Sequence, residues 1–206
     1  LRVVNIRTPS APTEVGFYVT VGRAVGLDLV GDLAYVAAYG TGVRIIDVST
    51  PSRPHEVGAF HPGSCYYYAP GFVQDVVVSN GRAYTAQGWR DPYAPRPPVP
   101  GLGVTDVSNP SSPKQVGSYW AATPYPPWGE ATGVWLAGTT AYVASSESAR
   151  TEGPYGGRHR LLDVSHPAMV LPMGGPSADF GTGEIVRDMS LGGGRIYAEA
   201  AGAGLQ

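Results

Sequence analysis

The sequence has few of the residues on which several classes of protein depend. It contains one cysteine, Cys65, so the chain cannot form an internal disulfide framework or a cysteine-based zinc site. Charged residues make up 15% of the 206 positions and the net charge is −2, without the basic stripe expected of a nucleic-acid-binding protein. No apolar run approaches the roughly 20 residues of a membrane-spanning helix, so no membrane insertion is expected in this segment.

Motifs of common enzyme chemistry are also missing. The chain has no Gly-x-Ser-x-Gly, no His-Glu-x-x-His, no P-loop and no EF-hand loop. Its four histidines fall in different connections of the repeats described below, so they do not form one metal site. The sequence therefore predicts no catalytic residues and no required cofactor.

Glycine and proline, by contrast, are abundant, with 29 and 20 residues spread along the chain. Such a distribution is typical of many tight turns between short strands. No segment shows a 3.6-residue apolar period with caps, so no helix is predicted.

The phrase Asp-Val-Ser-x-Pro recurs along the chain and reveals an internal repeat. Its first position, which we call the anchor, is occupied in successive copies by Asn5, Asp47, Asp106 and Asp163. A glycine follows eleven residues after each anchor, at Gly16, Gly58, Gly117 and Gly174. An Ala-Tyr or Ile-Tyr pair is the second fixed point, and its tyrosines are Tyr35, Tyr84, Tyr142 and Tyr197.

Each copy contains four apolar segments, which we label a to d and predict as strands. In the best-preserved copy they are Gly26–Val30, Ala34–Ala38, Val43–Val48 and Glu56–Phe60. Four short strands per repeat of this length are the signature of a propeller blade. We therefore predict that residues 1–206 form a single all-β propeller domain, or a segment of one, with about four blades.

The anchor is predicted to be structural. An Asp side chain accepts the backbone N–H two residues on, and proline then fixes the turn. Asn5 makes the same turn without a charge, which a catalytic or metal-binding Asp does not usually tolerate. The phrase should therefore end strand c and begin the turn into strand d.

The segment AYVA…GVRIIDVSTPSRPHEVG resembles the LVIVD repeat, found in bacterial and archaeal β-propeller proteins that are often secreted or on the cell surface. The resemblance covers essentially the whole chain in about four copies, and it is weakest at AMVLPM (168–173), where strand d of that copy is in question. It implies the propeller fold and an extracellular or cell-surface location, but no common activity. Both ends of the sequence fall in strand c, so we expect a segment of a larger propeller whose remaining blades are partners; the alternative is a closed four-bladed ring.

Length differences between copies are confined to the b–c and d–a connections, which share one side of a meandering blade. We call this side the long-segment face and the opposite side, with the a–b and c–d connections, the short-turn face. The longer stretches are 61–74, 87–101, 120–132 and 145–160. Insertions on one face of a repeat array usually mark the binding face.

These stretches are rich in aromatic residues, which offer large contact areas with polar tips. A protein or carbohydrate ligand is therefore expected, bound by Tyr66, Tyr67, Tyr68, Trp89, Tyr93, Trp120, Tyr125, Trp128 and Tyr155. In the alternative interpretation these side chains bury one another and hold the long segments down.

Carboxylates are predicted near the channel mouth. Asp75 and Asp188 share one position at the start of strand a, and Glu130 and Glu184 lie just upstream of it in their copies. Such a group suits Ca²⁺, which prefers several oxygen ligands, so calcium is the one metal candidate. The leading functional prediction is a non-enzymatic binding module of a secreted or cell-surface protein. The alternatives are a hydrolase or lyase site at the channel mouth using Asp75, Asp188 and Glu184, and a structural spacer in a large surface protein.

Overall fold

The computed structural model describes residues 1–61, 71–88, 101–120, 128–148, 156–173, 180–181, 186–192, 195–200 and 204–205. Regular structure within these ranges consists of antiparallel β-strands. No helix in this part of the chain has the length and apolarity needed to cross a bilayer. The all-β prediction is confirmed.

The first two strands form an outer pair, and the next four form a blade. The outer pair consists of β1 (Arg2–Asn5) and β2 (Thr13–Phe17), which occupy the c and d positions of the repeat. Blade 1 is a four-stranded meander of β3 (Gly26–Val30), β4 (Leu33–Ala37), β5 (Val43–Asp47) and β6 (His55–Phe60). The strand bounds predicted for this copy are each within one residue of those in the structure.

Two further blades follow with the same order of strands. Blade 2 contains β7 (Phe72–Ser79), β8 (Arg82–Gly88), β9 (Gly101–Asp106) and β10 (Lys114–Trp120). Blade 3 contains β11 (Trp128–Ala137), β12 (Thr140–Ser148), β13 (Gly156–Asp163), β14 (Leu171–Pro172) and β15 (Phe180–Gly181). Both β14 and β15 pair with β13, so strand d of blade 3 consists of two short pieces. The departure from the repeat at 168–173 thus shortens this strand without removing it.

The last sheet has three strands, which we call the inner sheet. Its members are β16 (Val186–Gly192), β17 (Arg195–Ala200) and β18 (Gly204–Leu205), paired in that order. β16 and β17 occupy the a and b positions of the repeat, and Tyr197 of β17 corresponds to Tyr35 of blade 1.

The assignment of connections to two faces is confirmed. Each a–b connection of the three blades has two residues, and the c–d connections are 48–54, 107–113 and 164–170. The b–c connections are unequal, at 38–42, 89–100 and 149–155. Part of the extra sequence extends strands, because β11 begins at Trp128 and β12 continues to Ser148.

Apolar side chains are buried between successive blades. One cluster joins Tyr35, Val43 and Ile45 of blade 1 to Val73 and Val76 of blade 2. A second cluster joins blade 2 to blade 3 through members that include Tyr84, Leu102, Val104, Val134 and Leu162. Because a single blade cannot bury both of its faces, this stacking explains the continuous apolar runs in strand a. With the inner strands side by side and the blades packed face to face, the fold is a β-propeller of four-stranded blades.

The anchor forms the predicted turn in every copy. Oδ1 of Asp47, Asp106 and Asp163 accepts the backbone N–H two residues on at 2.8, 2.9 and 2.8 Å, and Oδ1 of Asn5 does so at 3.0 Å. The following proline is the second residue of a β-turn, closed in blade 1 by the Arg53 N–H donating to the Thr50 carbonyl at 2.8 Å. The phrase is therefore a two-part turn that connects strand c to strand d.

We expect the anchor turns to make the stability of the fold sensitive to acid. The serine two residues after each anchor aspartate donates hydrogen bonds to the carboxylate from its hydroxyl, which has the larger effect, and from its backbone N–H. These hydrogen bonds hold the pKa of Asp47, Asp106 and Asp163 below the usual value. A carboxyl with a lowered folded-state pKa adds stability above its unfolded pKa, and this stability disappears as the pH falls through the folded pKa. We expect the melting temperature to decrease below about pH 4.

A triple variant with Asp47→Asn, Asp106→Asn and Asp163→Asn isolates this effect. Asparagine keeps the turn, as Asn5 shows, but does not titrate, so the variant should fold at neutral pH and lose less stability in acid. Melting curves from pH 7 to pH 3 measure this, and equal acid sensitivity in both proteins would contradict the prediction.

Candidate functional site

The inner strands of blade 2, blade 3 and the inner sheet each carry a β-bulge at the same repeat position, whereas β3 of blade 1 pairs with β4 without a register shift. The pairing register shifts at Gln74 in β7, at Thr132 in β11 and at Arg187 in β16. A bulge adds one residue to a strand and redirects its side chain, and bulges are over-represented beside functional sites. The bulge residue therefore does not follow the side-chain alternation of the rest of strand a.

A cavity of about 280 Å³ lies beside the first two of these bulges. Its walls come from the inner strands of all three blades, and the lining residues are Val25, Leu27, Asp28, Gln74, Asp75, Val76, Val77, Thr132, Val134 and Trp135. The lining residues lie near the start of β3 but in the middle of β7 and β11, at the level of the two bulges. The cavity therefore lies along the inner strands.

Asp75 connects the inner strands of blades 2 and 3. Its Oδ1 accepts the N–H of Val76 at 2.9 Å, and its Oδ2 accepts the N–H of Val134 in blade 3 at 3.0 Å. The carboxylate is half-buried and Val134 is fully buried. Asp75 therefore stabilises the interface between two blades.

Asp28 makes the corresponding hydrogen bonds between blades 1 and 2. Its repeat position is two residues after that of Asp75. Its Oδ1 accepts the N–H of Leu29 at 2.8 Å, and its Oδ2 accepts the N–H of Val78 at 2.6 Å. In both cases one oxygen binds the following residue and the other binds the next blade. The repeated geometry identifies an inter-blade hydrogen bond that the sequence repeat did not reveal, because the two aspartates occupy different repeat positions.

The four carboxylates predicted to bind calcium are only partly described. Asp75 lies in the cavity wall, and Glu130 and Asp188 lie in β11 and β16, but their side chains fall outside the described residues, as does all of Glu184. Among the side chains that the structure describes, no group of three or more His, Cys, Asp or Glu residues is placed to hold a metal. Calcium binding stays a prediction. If calcium binds, titration with calcium should release heat and raise the melting temperature of the protein.

Two of the nine aromatic residues predicted to bind ligand lie in described strands. Trp120 ends β10 and its indole lies across Gly101 of β9, where an added Cβ would be 2.6 Å from Cε3. Trp128 begins β11, with its side chain outside the described set. The other seven lie outside the described residues, namely Tyr66, Tyr67, Tyr68, Trp89, Tyr93, Tyr125 and Tyr155.

Several residues near the long-segment face were missed from the sequence. Tyr39, in the b–c connection of blade 1, stacks on Phe72 with ring centroids 4.4 Å apart, and its φ is 52°. His159 was assigned to a connection but lies buried in β13, and burial lowers its pKa. Gln74 and Thr132 were also not predicted as site residues, although each lies directly before the position at which the repeat predicts that strand a begins.

Comparison with known proteins supports the repeat assignment. Residues 21–61 and 99–121 match the LVIVD repeat family model. The first match covers blade 1, and the second covers strands c and d of blade 2. Two segments of the chain therefore match the LVIVD repeat, as the resemblance implied. No curated protein matches the sequence at a significant level.

Solved structures with a similar arrangement share little sequence with this chain. The computationally designed Ika4 protein has 8% identity over 91% of each chain and a TM-score of 0.50. The designed Ika8 protein has 8% identity over 87% of this chain and 56% of its own, with a TM-score of 0.44. A GH43 endo-arabinanase from Bacillus licheniformis has 12% identity over 92% of this chain and 95% of its own, with a TM-score of 0.38. At such identities a likeness shows the fold alone, and the two scores below 0.5 add nothing to it.

Proposed function

We propose that this chain is a non-enzymatic binding module of a secreted or cell-surface protein, and that it binds a glycan at the long-segment face. The observation that carries this proposal is the cavity beside the bulges of β7 and β11. Its volume of about 280 Å³ suits one or two sugar units of a glycan rather than a polysaccharide chain that lies along the surface.

The chemistry of the cavity wall supports a ligand rich in hydroxyl groups. Gln74 contributes an amide, Thr132 contributes a hydroxyl that donates to the Ala144 carbonyl at 3.4 Å, and Asp28 and Asp75 contribute carboxylates. Trp135 adds an aromatic surface with one N–H donor. Mixed donors, acceptors and an aromatic ring are the groups that recognise a sugar.

Binding fits the described residues better than hydrolysis does. Both oxygens of Asp75 and both oxygens of Asp28 accept backbone N–H groups, which is a structural use of these carboxylates. The aromatic residues predicted on the long segments would extend the site outward from the cavity. A protein ligand, the other class predicted from the sequence, would engage those segments without the cavity.

A glycan array with matched variants tests this proposal. Wild-type protein should bind a defined subset of glycans, and Thr132→Val should weaken that binding about three- to tenfold, the range expected for one lost hydrogen bond. Thr50→Val makes the same change on the short-turn face, where Thr50 is exposed, and should leave binding unchanged.

Two outcomes would contradict the proposal. One is that wild-type protein binds no glycan. The other is that Thr132→Val and Thr50→Val have equal affinity for the glycans bound. Melting temperatures of both variants establish that any loss of binding does not come from unfolding.

A further inference from the structure

Two copies of the repeat have glycine at the position where strand a is predicted to begin, and both glycines lie between residues that line the cavity. They are Gly26 of β3 and Gly133 of β11, whereas the other copies have Asp75 and Asp188 there. Neither glycine has a positive φ, so the backbone conformation does not require glycine at either position. A close neighbour of each glycine explains why it has no side chain.

Each glycine leaves room for a side chain of the cavity wall. A Cβ at Gly26 would lie 2.8 Å from Oδ1 and 3.0 Å from Cα of Asp75. A Cβ at Gly133 would overlap Cη2 of Trp135 and lie 2.7 Å from Cζ3 and 3.0 Å from Cζ2. The indole of Trp135 therefore lies across Gly133, directly beside the bulge in β11, and any larger residue at this position would displace it.

The repeat does not require an aromatic side chain at the position of Trp135. The residues at this position in the other copies are Asp28, Val77 and Ser190. Trp135 packs against the apolar cluster of Ala144 and Met189, lines the cavity and is half-buried. The cluster and Gly133 together hold the ring in place, so the indole is a preorganised part of the cavity wall.

Hydrogen-bond acceptors lie beside this ring. Oδ2 of Asp75 accepts the N–H of Val134, the residue before Trp135, at 3.0 Å. Asp28, at the repeat position of Trp135 in blade 1, contributes a second carboxylate to the same cavity. A pyranose ring has hydroxyl groups around its edge, and in the glucose and galactose configurations at least one face consists of C–H groups. An indole beside carboxylates matches both features, whereas an open-chain polyol has the hydroxyl groups without the flat face.

We propose that Trp135 is the residue on which a glucose- or galactose-configured pyranose of the ligand stacks, and that Gly133 is a positioning residue that acts through Trp135. This inference rests on the proposed function and names the sugar class that the cavity selects. The indole supplies the apolar contact, and the carboxylates accept hydrogen bonds from the hydroxyl groups at the edge of the sugar.

A double-mutant cycle on the glycan array tests both roles. Trp135→Leu should weaken binding about tenfold, and Trp135→Phe, which keeps a smaller ring, about threefold. Gly133→Ala should weaken binding as much as Trp135→Leu does, because its Cβ displaces the indole, and it should have no further effect in a Trp135→Leu background. Gly58→Ala is the matched control, since its Cβ overlaps backbone atoms at the blade 1–blade 2 interface, and the folded variant should bind like the wild type.

Competition on the wild-type protein gives a result that does not depend on any variant folding. Methyl β-glucopyranoside or methyl β-galactopyranoside should displace the array glycans, and whichever competes better identifies the configuration. Glucitol, an open-chain polyol, should not displace them at the same concentration. Competition by glucitol as strong as that by both glycosides would overturn the inference.

The other outcomes separate this inference from the proposed function. Unchanged array binding by folded Trp135→Leu protein would overturn the inference and leave the proposed function standing, because glycans would then bind without the indole. A Gly133→Ala effect that persists at full size in the Trp135→Leu background would overturn the role of Gly133 as a positioning residue. Binding of no glycan by the wild-type protein would overturn the proposed function together with the inference.

Discussion

Replacing Gly58 by alanine is expected to lower the free energy of unfolding by about 3 kcal/mol. Gly58 lies in β6 of blade 1, and a Cβ there would overlap the carbonyl oxygen of Pro110 and lie 2.9 Å from its carbonyl carbon. Both contacting atoms belong to the backbone of the anchor turn in blade 2, so a side-chain rotation cannot relieve the overlap. The two blades would have to separate, which weakens the apolar packing between them.

The same contact occurs at two other interfaces, which explains the glycine eleven residues after the anchor. A Cβ at Gly16 would lie 3.0 Å from the carbonyl carbon of Pro51, and one at Gly117 would lie 2.7 Å from that of Pro167. At Gly16, Gly58 and Gly117 the strand d glycine thus contacts the proline turn of the next blade. The proline of the Asp-Val-Ser-x-Pro phrase in one blade and the strand d glycine of the preceding blade therefore form one inter-blade contact.

Gly40→Ala is the matched control for Gly58→Ala. A Cβ at Gly40 would meet its nearest neighbour, Phe72 Cδ1, at 3.9 Å, an ordinary contact. Its effect should stay within about 0.5 kcal/mol. Urea denaturation of both variants measures the difference, and a Gly58→Ala variant as stable as Gly40→Ala would show that the blades do not pack in this way.

Asp75→Ala is expected to lower the free energy of unfolding by about 2 kcal/mol, because it leaves the N–H groups of Val76 and Val134 without their acceptor. Val134 is fully buried between blades 2 and 3, so water replaces the lost hydrogen bond poorly. If Asp75 instead served only as a ligand for metal or substrate, its removal would relieve charge and leave stability unchanged or higher.

Asp32→Ala provides the comparison for this second substitution. Asp32 is an exposed residue in the a–b turn of blade 1, and its carbonyl, which accepts the N–H of Val48, is kept in the variant. We expect a change within about 0.5 kcal/mol. Equal denaturation midpoints for the Asp75→Ala and Asp32→Ala variants would contradict the role assigned to Asp75.

The scaffold of this fold was predictable because it depends on local chemistry that each copy repeats. The Asp-Ser pairing and the proline that follows determine the c–d turn within six residues, so the anchor could be assigned from the sequence alone. Equal spacing from Asp47 and Asp106 to Gly58 and Gly117 also indicated a fixed contact. The sequence did not identify the proline carbonyl of the next blade as the partner, since that contact links residues in different copies.

The site was less predictable because the residue type at its positions differs from copy to copy. The bulges at Gln74 and Thr132 are register shifts of the backbone, which leave no periodic mark in the sequence. Asp75 was predicted as a candidate calcium ligand, with acceptance of backbone N–H groups as the alternative, but a sequence does not show that its two oxygens accept N–H groups on two different strands. Trp128 was placed in a connection, whereas it begins β11, because inserted residues extended a strand instead of a loop.

Hydrogen–deuterium exchange tests the division of this molecule into a binding face and a structural face most directly. The chain is measured alone and with the glycan that binds most strongly on the array. We predict slower exchange around the bulges of β7 and β11, at 72–76 and 131–135, and no change in the c–d turns at 48–54, 107–113 and 164–170. Slower exchange in the c–d turns with no change around the two bulges would contradict it.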